Sequence, residues 1–576
     1  MASLDSVART VLRRRYLRQD EDGAVVETPD GMFRRVAANL ASAEARFGGD
    51  VDATEERFYE AMSALEFLPN SPTLMNAGTG LQQLAACFVL PIEDSLKSIF
   101  TTLKQTALVH QSGGGTGFSF SKLRPRGDVV RKTGGVASGP VSFVRIFDAA
   151  TEQIKQGGRR RGANMGVLDV SHPDLEEFVS VKADEGALRN FNLSVATDEG
   201  FWDAYEAGDD YDVVNPRTGA VVRRADPAAV LERIAEMAWE TGDPGLLFLD
   251  RINEDNPTPA LGRIEATNPC GEVPELPYEA CILGSVNLGR HTDGGELDWE
   301  QLRETVHLAV RFLDDAIEMS AFPVPEIEAM ATETRRVGLG VMGFHDALVD
   351  LRIPYASAEA VAFARELMSF VRDESWAASK RLAAERGPFP AWEESIREEP
   401  MRNATTTTIA PTGTISLVAG CSAGIEPIYG VSYTKQVLGG LEIRNDRFVE
   451  LANERGFYSE ELLADLHGRT TIQDVEAIPD EVEPLFQTAH DVPVEQHLNV
   501  QAAFQEHVDN AVSKTVNVPR STSVDEVREL LVAARELDLK GVTVFRSGAK
   551  REQVLGESPR KEECVGECDY VGPGDG

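Results

Sequence analysis

The chain has 576 residues, 42% hydrophobic and 26% charged, enough for one very large domain with appendages or for several ordinary ones. Its formal net charge of −37 excludes polynucleotide binding through a basic face. Carboxylates that dense suit a cytoplasm rich in salt, since the Debye length falls to ~3 Å near 1 M and screens their mutual repulsion.

Residues 1–6 show no charged-then-apolar signal pattern, and no apolar run approaches the ~20 residues needed to span a bilayer, so a cytoplasmic protein without membrane attachment is expected. The 6 cysteines are scattered and do not form a secreted disulfide framework. They read as reduced thiols with a task.

In chain order, Ser6 can cap a helix whose Val7, Val11, Leu12 and Tyr16 share one side. Thr28-Pro29 gives a cap followed by proline at the first helical position, with Met32, Phe33, Val36, Ala37 and Leu40 as the buried stripe. Residues 1–65 are therefore expected to form a helical N-terminal cap. Residues 67–74 are a turn rich in side-chain oxygens, and a bare Ser71-Pro72 is more often an ordinary turn than a ligand site. Cys87 lies in the apolar, strand-like stretch 84–90, and residues 111–119 form a glycine-rich loop that includes Gly115 and permits close backbone approach.

A helix is predicted over 140–154, with Val141, Val144, Phe147, Ala150 and Ile154 on one side. Behind it, Gly157 and Gly158 permit movement while Arg159, Arg160 and Arg161 suit phosphate or base recognition, although three arginines in isolation are more often a solvated surface. Short apolar runs at 167–170, 190–196, 245–249, 337–343, 514–518 and 541–545 alternate with helical segments such as 228–239. That alternation predicts an α/β fold with a mainly parallel sheet, and a helix capped at Ser523 completes a βαβ unit. Residues 440–497 are acidic and poorly periodic, and residues 551–576 carry no core-forming pattern and read as a mobile tail.

The stretch 266–272 sets the thiol of Cys270 between the carboxamide of Asn268 and the carboxylate of Glu272 in a Pro/Gly-rich loop, so that all three can converge on one small ligand. As a short motif it could equally be a surface loop. Cys87 and Cys281 sit in inward-reading strands, whereas Cys564 and Cys568 sit in the tail. That distribution points to a redox relay.

Asn268-Pro269-Cys270-Gly271-Glu272, the turn Asn70-Ser71-Pro72-Thr73, the loop 156–165 and Ala410-Pro411-Thr412-Gly413-Thr414-Ile415-Ser416 together resemble a ribonucleotide reductase, most closely the class II, adenosylcobalamin-dependent type. The likeness runs from Arg15 to Arg546. It implies a ten-stranded α/β barrel over 66–550, with a central finger loop carrying the radical cysteine. Cys270 would be the thiyl, Glu272 the general base and Asn268 the group that orients the ribose hydroxyls. Cys87 and Cys281 would close a disulfide as water leaves, which needs their Cα atoms within about 7 Å.

The same resemblance implies a substrate site made of Ser71, Ala86, Cys87, Gly115, Asn268, Pro269, Cys270, Gly271 and Glu272, with Pro411, Thr412, Gly413, Thr414 and Ile415 cradling the ribonucleotide's phosphates. It implies an effector region at about 134–166, where Asp148, Arg159, Arg160 and Arg161 would bind an allosteric (deoxy)nucleoside triphosphate near a homodimer interface. Cys564 and Cys568 would pass electrons from a thioredoxin- or glutaredoxin-like reductant. Their rival role, zinc, is disfavoured because two thiolates fall short of about four ligands, and no metal site is assigned.

There is no adjacent Tyr-Tyr pair for a radical delivered from a second subunit, and no glycyl-radical element at the C-terminus. Within the family that leaves adenosylcobalamin as the cofactor. Its binding residues are unassigned: His467, in Asp465-Leu466-His467-Gly468, lacks the spacing of a cobalt-ligating motif. The ATP-binding cone of class I relatives is not found. A class I-like large subunit and a non-catalytic nucleotide sensor are the alternative readings.

Overall fold

The computed structural model describes residues 2–130, 134–156, 160–184, 186–435, 440–549 and 555–556. Ten strands form the central sheet: β1 (Phe67–Pro69), β2 (Cys87–Val89), β3 (Gly115–Ser119), β4 (Asn164–Asp169), β5 (Phe191–Thr197), β6 (Gly245–Phe248), β7 (Ala280–Asn287), β8 (Val337–Met342), β9 (Thr515–Val518) and β10 (Gly541–Arg546). Strands β7 and β8 are buried at every position, as expected where a parallel sheet is covered on both faces.

Strands β2, β3, β4, β5 and β6 run parallel in sequence order. A second parallel set begins with β7 and β8 and ends with β9 and β10. The sets meet through two antiparallel seams, β7 against β2 and β6 against β10. Between β8 and β9 the ladder continues through residues 405–409, by parallel bridges Leu339–Thr407 and Ile409–Val512. The Leu339 amide donates to the Thr406 carbonyl at 2.7 Å, and the Ile409 amide to the Ala511 carbonyl at 3.1 Å. This is the α/β architecture implied by the resemblance, with a helical region at the N-terminus.

Inside this ring of strands lies a hairpin in which Ala266 pairs with Glu275 and Thr267 with Pro274. Its tip is held from opposite sides. Asn192 Nδ2 on β5 donates to the Pro269 carbonyl at 2.8 Å, while Thr408 Oγ1 and the Ala511 amide donate to the Glu272 carbonyl at 2.8 and 2.9 Å. Glycine on β3 makes room: a Cβ on Gly117 would collide with the Thr267 carbonyl, and one on Gly115 would sit 2.8 Å from the Pro269 ring.

The N-terminal helices Ser6–Val11, Pro29–Ala41 and Val51–Ser63 share one apolar cluster with the strands rather than owning a separate core. Met32, Phe33, Val36, Ala37 and Leu40 are buried as the pattern predicts, and Thr28 caps its helix. The first helix is capped by Asp5, not Ser6: the stronger carboxylate acceptor one residue earlier takes the Ala8 amide. Arg311 and Arg386 both bind Glu44 and fasten the helical region to the helix Trp299–Met319 and its neighbour Ala358–Arg386.

Ser523 caps the helix Val524–Glu536 between β9 and β10 in a complete capping box. The weakly patterned region after 440 contains the helices Asp446–Arg455 and Glu460–Leu466 around its own apolar cluster of Phe448, Leu451, Leu466 and Phe486. No helix among the described residues is long and apolar enough to cross a membrane.

Candidate active site

The finger tip brings Asn268, Cys270 and Glu272 to one place. Gly271 supplies the reversal with φ of 82°, in the left-handed region that favours glycine. Asn268 Nδ2 donates to Glu272 Oε2 at 2.7 Å and approaches Cys87 Sγ at 3.1 Å, while its Oδ1 accepts from the Val273 amide at 2.9 Å. The carboxamide is thus oriented by the backbone of its own loop. Cys87 Sγ in turn lies 4.0 Å from Glu272 Oε1.

Cys281 on β7 is the register partner of Cys87 on β2. Directly opposed residues of antiparallel strands have Cα atoms roughly 4.5–5.5 Å apart, within the range a disulfide spans. Both thiols are free and buried.

Electrostatics follow from that burial. Glu272, 2% exposed, is pushed up to about 7 by desolvation, against the opposing pull of the Asn268 hydrogen bond. Burial raises the Cys87 thiol well above its ordinary value, with Glu272 adding to the shift, and does the same for Cys281 with help from Glu275. Both stay protonated at neutral pH, which suits donors of hydrogen and protons. Glu275 itself is fully buried, has no hydrogen-bond partner for either oxygen among the described residues, and is driven well up by burial and by neighbouring Glu279. Glu279 is held by Arg336 at 2.8 Å. The sequence reading missed this pair of buried acids because they sit outside the motif.

Two cavities meet at the finger. The smaller, about 60 Å³, is lined by Ser71, Ala86, Cys87, Gly115, Asn268, Pro269, Cys270, Glu272, Pro411, Thr412, Thr414 and Ile415. The larger, about 390 Å³, takes Gly271 and Gly413 together with Cys270, Cys421, Tyr429, Tyr433, Lys435 and Phe545. Cys270 lines both. Ser71 is held by the Tyr16 hydroxyl at 2.8 Å, a contact between the N-terminal region and the cavity that the sequence reading also missed.

Asp148 lies on the helix Pro140–Gln153, where its Oδ1 accepts from the Asn190 amide and from Asn190 Nδ2, each at 3.0 Å. Arg160 and Arg161 form a short strand paired with Lys155 and Gln156. Arg159, Cys564 and Cys568 lie outside the described residues.

An enzyme of thiol chemistry inside a ten-stranded α/β fold is the class these features define. The comparisons are specific about which one. The family model for the ribonucleotide reductase barrel domain matches residues 85–396 and 391–545, and that for the ribonucleotide reductase all-alpha domain matches residues 2–82. The chain belongs to the ribonucleotide reductase family.

It is 47% identical to the vitamin B12-dependent ribonucleoside-diphosphate reductase of Thermoplasma acidophilum, over 95% of this chain and 79% of that protein. It is 50% identical to the protein of the same description from Mycobacterium tuberculosis, strain CDC 1551, over 97% of this chain and 81% of the other. The alpha subunit of the Actinobacillus ureae class Id ribonucleotide reductase superposes with a TM-score of 0.78 over 94% of this chain and 97% of that one; at 24% identity this likeness speaks for the fold.

Proposed function

We propose that the protein reduces ribonucleotides to 2′-deoxyribonucleotides with adenosylcobalamin as radical source, and that its substrates are ribonucleoside diphosphates, as the names of its B12-dependent relatives indicate. The observation that carries this reading is the pairing of Cys87 with Cys281 beside Asn268, Cys270 and Glu272. The reaction balances as ribonucleotide plus dithiol giving deoxyribonucleotide, water and disulfide.

The sugar occupies the smaller cavity, with its phosphates toward 411–415. The Cys270 sulfur takes the 3′ hydrogen and later returns it. Glu272 accepts the 3′-hydroxyl proton, for which a value near neutrality is well matched. Asn268 holds the hydroxyls, Cys87 protonates the departing 2′-hydroxyl, and Cys87 and Cys281 give up two electrons as their sulfurs join.

The residues of the larger cavity fit the cofactor by their aromatic walls at Tyr429, Tyr433 and Phe545 and by including Cys270. When bound there, adenosylcobalamin supplies the one-electron oxidation that removes the hydrogen of Cys270. No histidine lines this cavity among the described residues, and both ring nitrogens of His467 are engaged by Ser432 and Thr434, at 2.9 and 3.2 Å.

The helix Pro140–Gln153 and the arginines after it are assigned to a homodimer interface and an effector triphosphate site, and the tail cysteines to exchange with a thioredoxin- or glutaredoxin-like reductant. The deciding experiment is anaerobic assay of the purified protein with dithiothreitol and each ribonucleoside di- or triphosphate, with and without adenosylcobalamin. Deoxynucleotide formed only with the cofactor is expected. A protein inert until a second subunit is added would overturn the reading.

A further inference from the structure

The smaller cavity presents hydroxyls to its ligand and no cation: none of its lining residues is Lys or Arg. A polyphosphate tail entering a chain with net charge −37 needs positive charge close by. Lys435 Nζ donates to the Gly413 carbonyl at 3.0 Å from the larger cavity, and the N-terminal region supplies a second cation on the Thr414 side. Arg15, in the turn Leu12–Tyr16 after the first helix, directs Nη1 at Thr414 Oγ1 at 3.3 Å. Its Nε is buried without a hydrogen-bond partner, and no carboxylate lies within ion-pair distance of the guanidinium among the described residues. Arg311, Arg335, Arg386, Arg402 and Arg447 all hold carboxylates.

The neighbouring residue explains why the guanidinium stays at this spot. Tyr16 is 1% exposed and its hydroxyl meets Ser71 Oγ on another wall of the same cavity. One turn of chain therefore touches both Ser71 and Thr414, and Arg15 is held at the phosphate end with donors to spare.

We propose that Arg15 is a substrate ligand that binds the outer phosphate of the nucleotide, making the N-terminal helical region part of the substrate site and a reader of phosphate number. Arginine suits this task because its planar fork matches phosphate oxygens and keeps its charge when partly desolvated. The inference rests on the reductase reading above.

The test compares Arg15→Gln, which keeps a hydrogen-bond donor for Thr414 but no charge, with Arg15→Lys, which keeps the charge. Equilibrium binding of a ribonucleoside diphosphate and of its monophosphate is measured in low and in high salt, alongside KM and kcat. Arg15→Gln is expected to weaken the diphosphate about 10–100-fold, the range of a hydrogen bond to a charged group. The monophosphate is expected to lose much less, the catalytic loss to fall on KM, and the salt dependence of diphosphate binding to flatten. Arg15→Lys is expected to recover most of the affinity.

Two results would overturn the proposal: Arg15→Gln binding the diphosphate within about twofold of the parent, or both variants weakening alike for di- and monophosphate with a lowered Tm, the mark of a mere tether. A parent protein that binds no nucleotide would overturn the reductase reading itself, which separates the two failures.

Discussion

Cys87 and Cys281 face one another as register partners across the antiparallel seam between β2 and β7, although 193 residues of chain separate them. Because the backbone pairing already holds the two Cα atoms within the range a disulfide spans, oxidation needs side-chain rotation and no strand movement. One disulfide per chain is expected when the loaded enzyme turns over substrate without external reductant, found between the peptides carrying these residues by mass spectrometry. Cys281→Ser is expected to form none and to yield no deoxynucleotide; a disulfide mapped to Cys421 in the parent would reject the assignment.

Glu272 gives the pH dependence. With its carboxyl pushed up to about 7, the fraction able to accept a proton rises through neutrality, so kcat/KM is expected to climb with a limb centred near that value. Glu272→Gln is expected to lose the limb and on the order of 10²–10⁴ in rate. Stability runs the other way. The folded value is raised above the ordinary 4.5, so the folded state holds the proton more tightly between 4.5 and about 7, and stability falls as pH rises across that window. The loss is roughly 3 kcal/mol at a cost of ~1.4 kcal/mol per pKa unit. Urea midpoints of parent and Glu272→Gln at several pH values check both sign and size.

Much of this was legible in the sequence, and the boundary has physical causes. The motif 268–272 could be read because its groups converge through a local turn that Pro269 and Gly271 dictate. The apolar runs could be read because strands covered on both faces carry no polar alternation. The strand-like stretch 405–409 was missed: its threonines are buried yet polar, and their hydroxyls are satisfied by partners such as the Val337 carbonyl and Ser375. The contact of Arg15 with Thr414 spans 399 residues, so no periodicity or spacing could disclose it. The cysteine pairing came from family resemblance alone.

The attachment of the N-terminal helices can be tested at Arg386. Its buried guanidinium bonds Asp314, Asp315 and Glu44 together. Burial pushes Asp314 up, but Arg335, Arg402 and Arg386 overcome it and hold the carboxyl at about 2. That depressed value contributes stability above the ordinary 3.8, and the contribution is lost as pH falls through about 2. Arg386→Met leaves buried carboxylates uncompensated and is expected to cost about 3–5 kcal/mol. In urea titrations followed by circular dichroism, the variant should unfold earlier at neutral pH, and its acid-unfolding midpoint should move upward.

Charge repulsion across the whole surface predicts a salt dependence of stability. At a net charge of −37 the compact state is opposed by its own field, which salt screens. Tm is expected to rise continuously as KCl goes from about 0.1 M to about 2 M, with the Debye length shrinking to a few ångströms. A Tm indifferent to KCl would mean that ion pairs such as Arg34–Glu56 and Arg126–Glu177 already balance the surface locally.

Regeneration of the dithiol sets a geometric problem. Cys87 is 3% and Cys281 0% exposed, so the active site of a reductant protein cannot reach either sulfur directly. A carrier thiol on a length of chain would solve it, the role proposed above for Cys564 and Cys568, which follow the last strand of the sheet in the sequence. The double variant Cys564→Ser/Cys568→Ser is expected to complete one turnover like the parent and to continue with dithiothreitol, a molecule small enough to enter. With thioredoxin and its reductase it should stop after the first deoxynucleotide. Rapid-quench measurement of the first turnover, followed by steady-state rates with each reductant, separates the carrier step from the chemistry at Cys270. Equal steady-state rates with thioredoxin in parent and variant would leave the tail without that role.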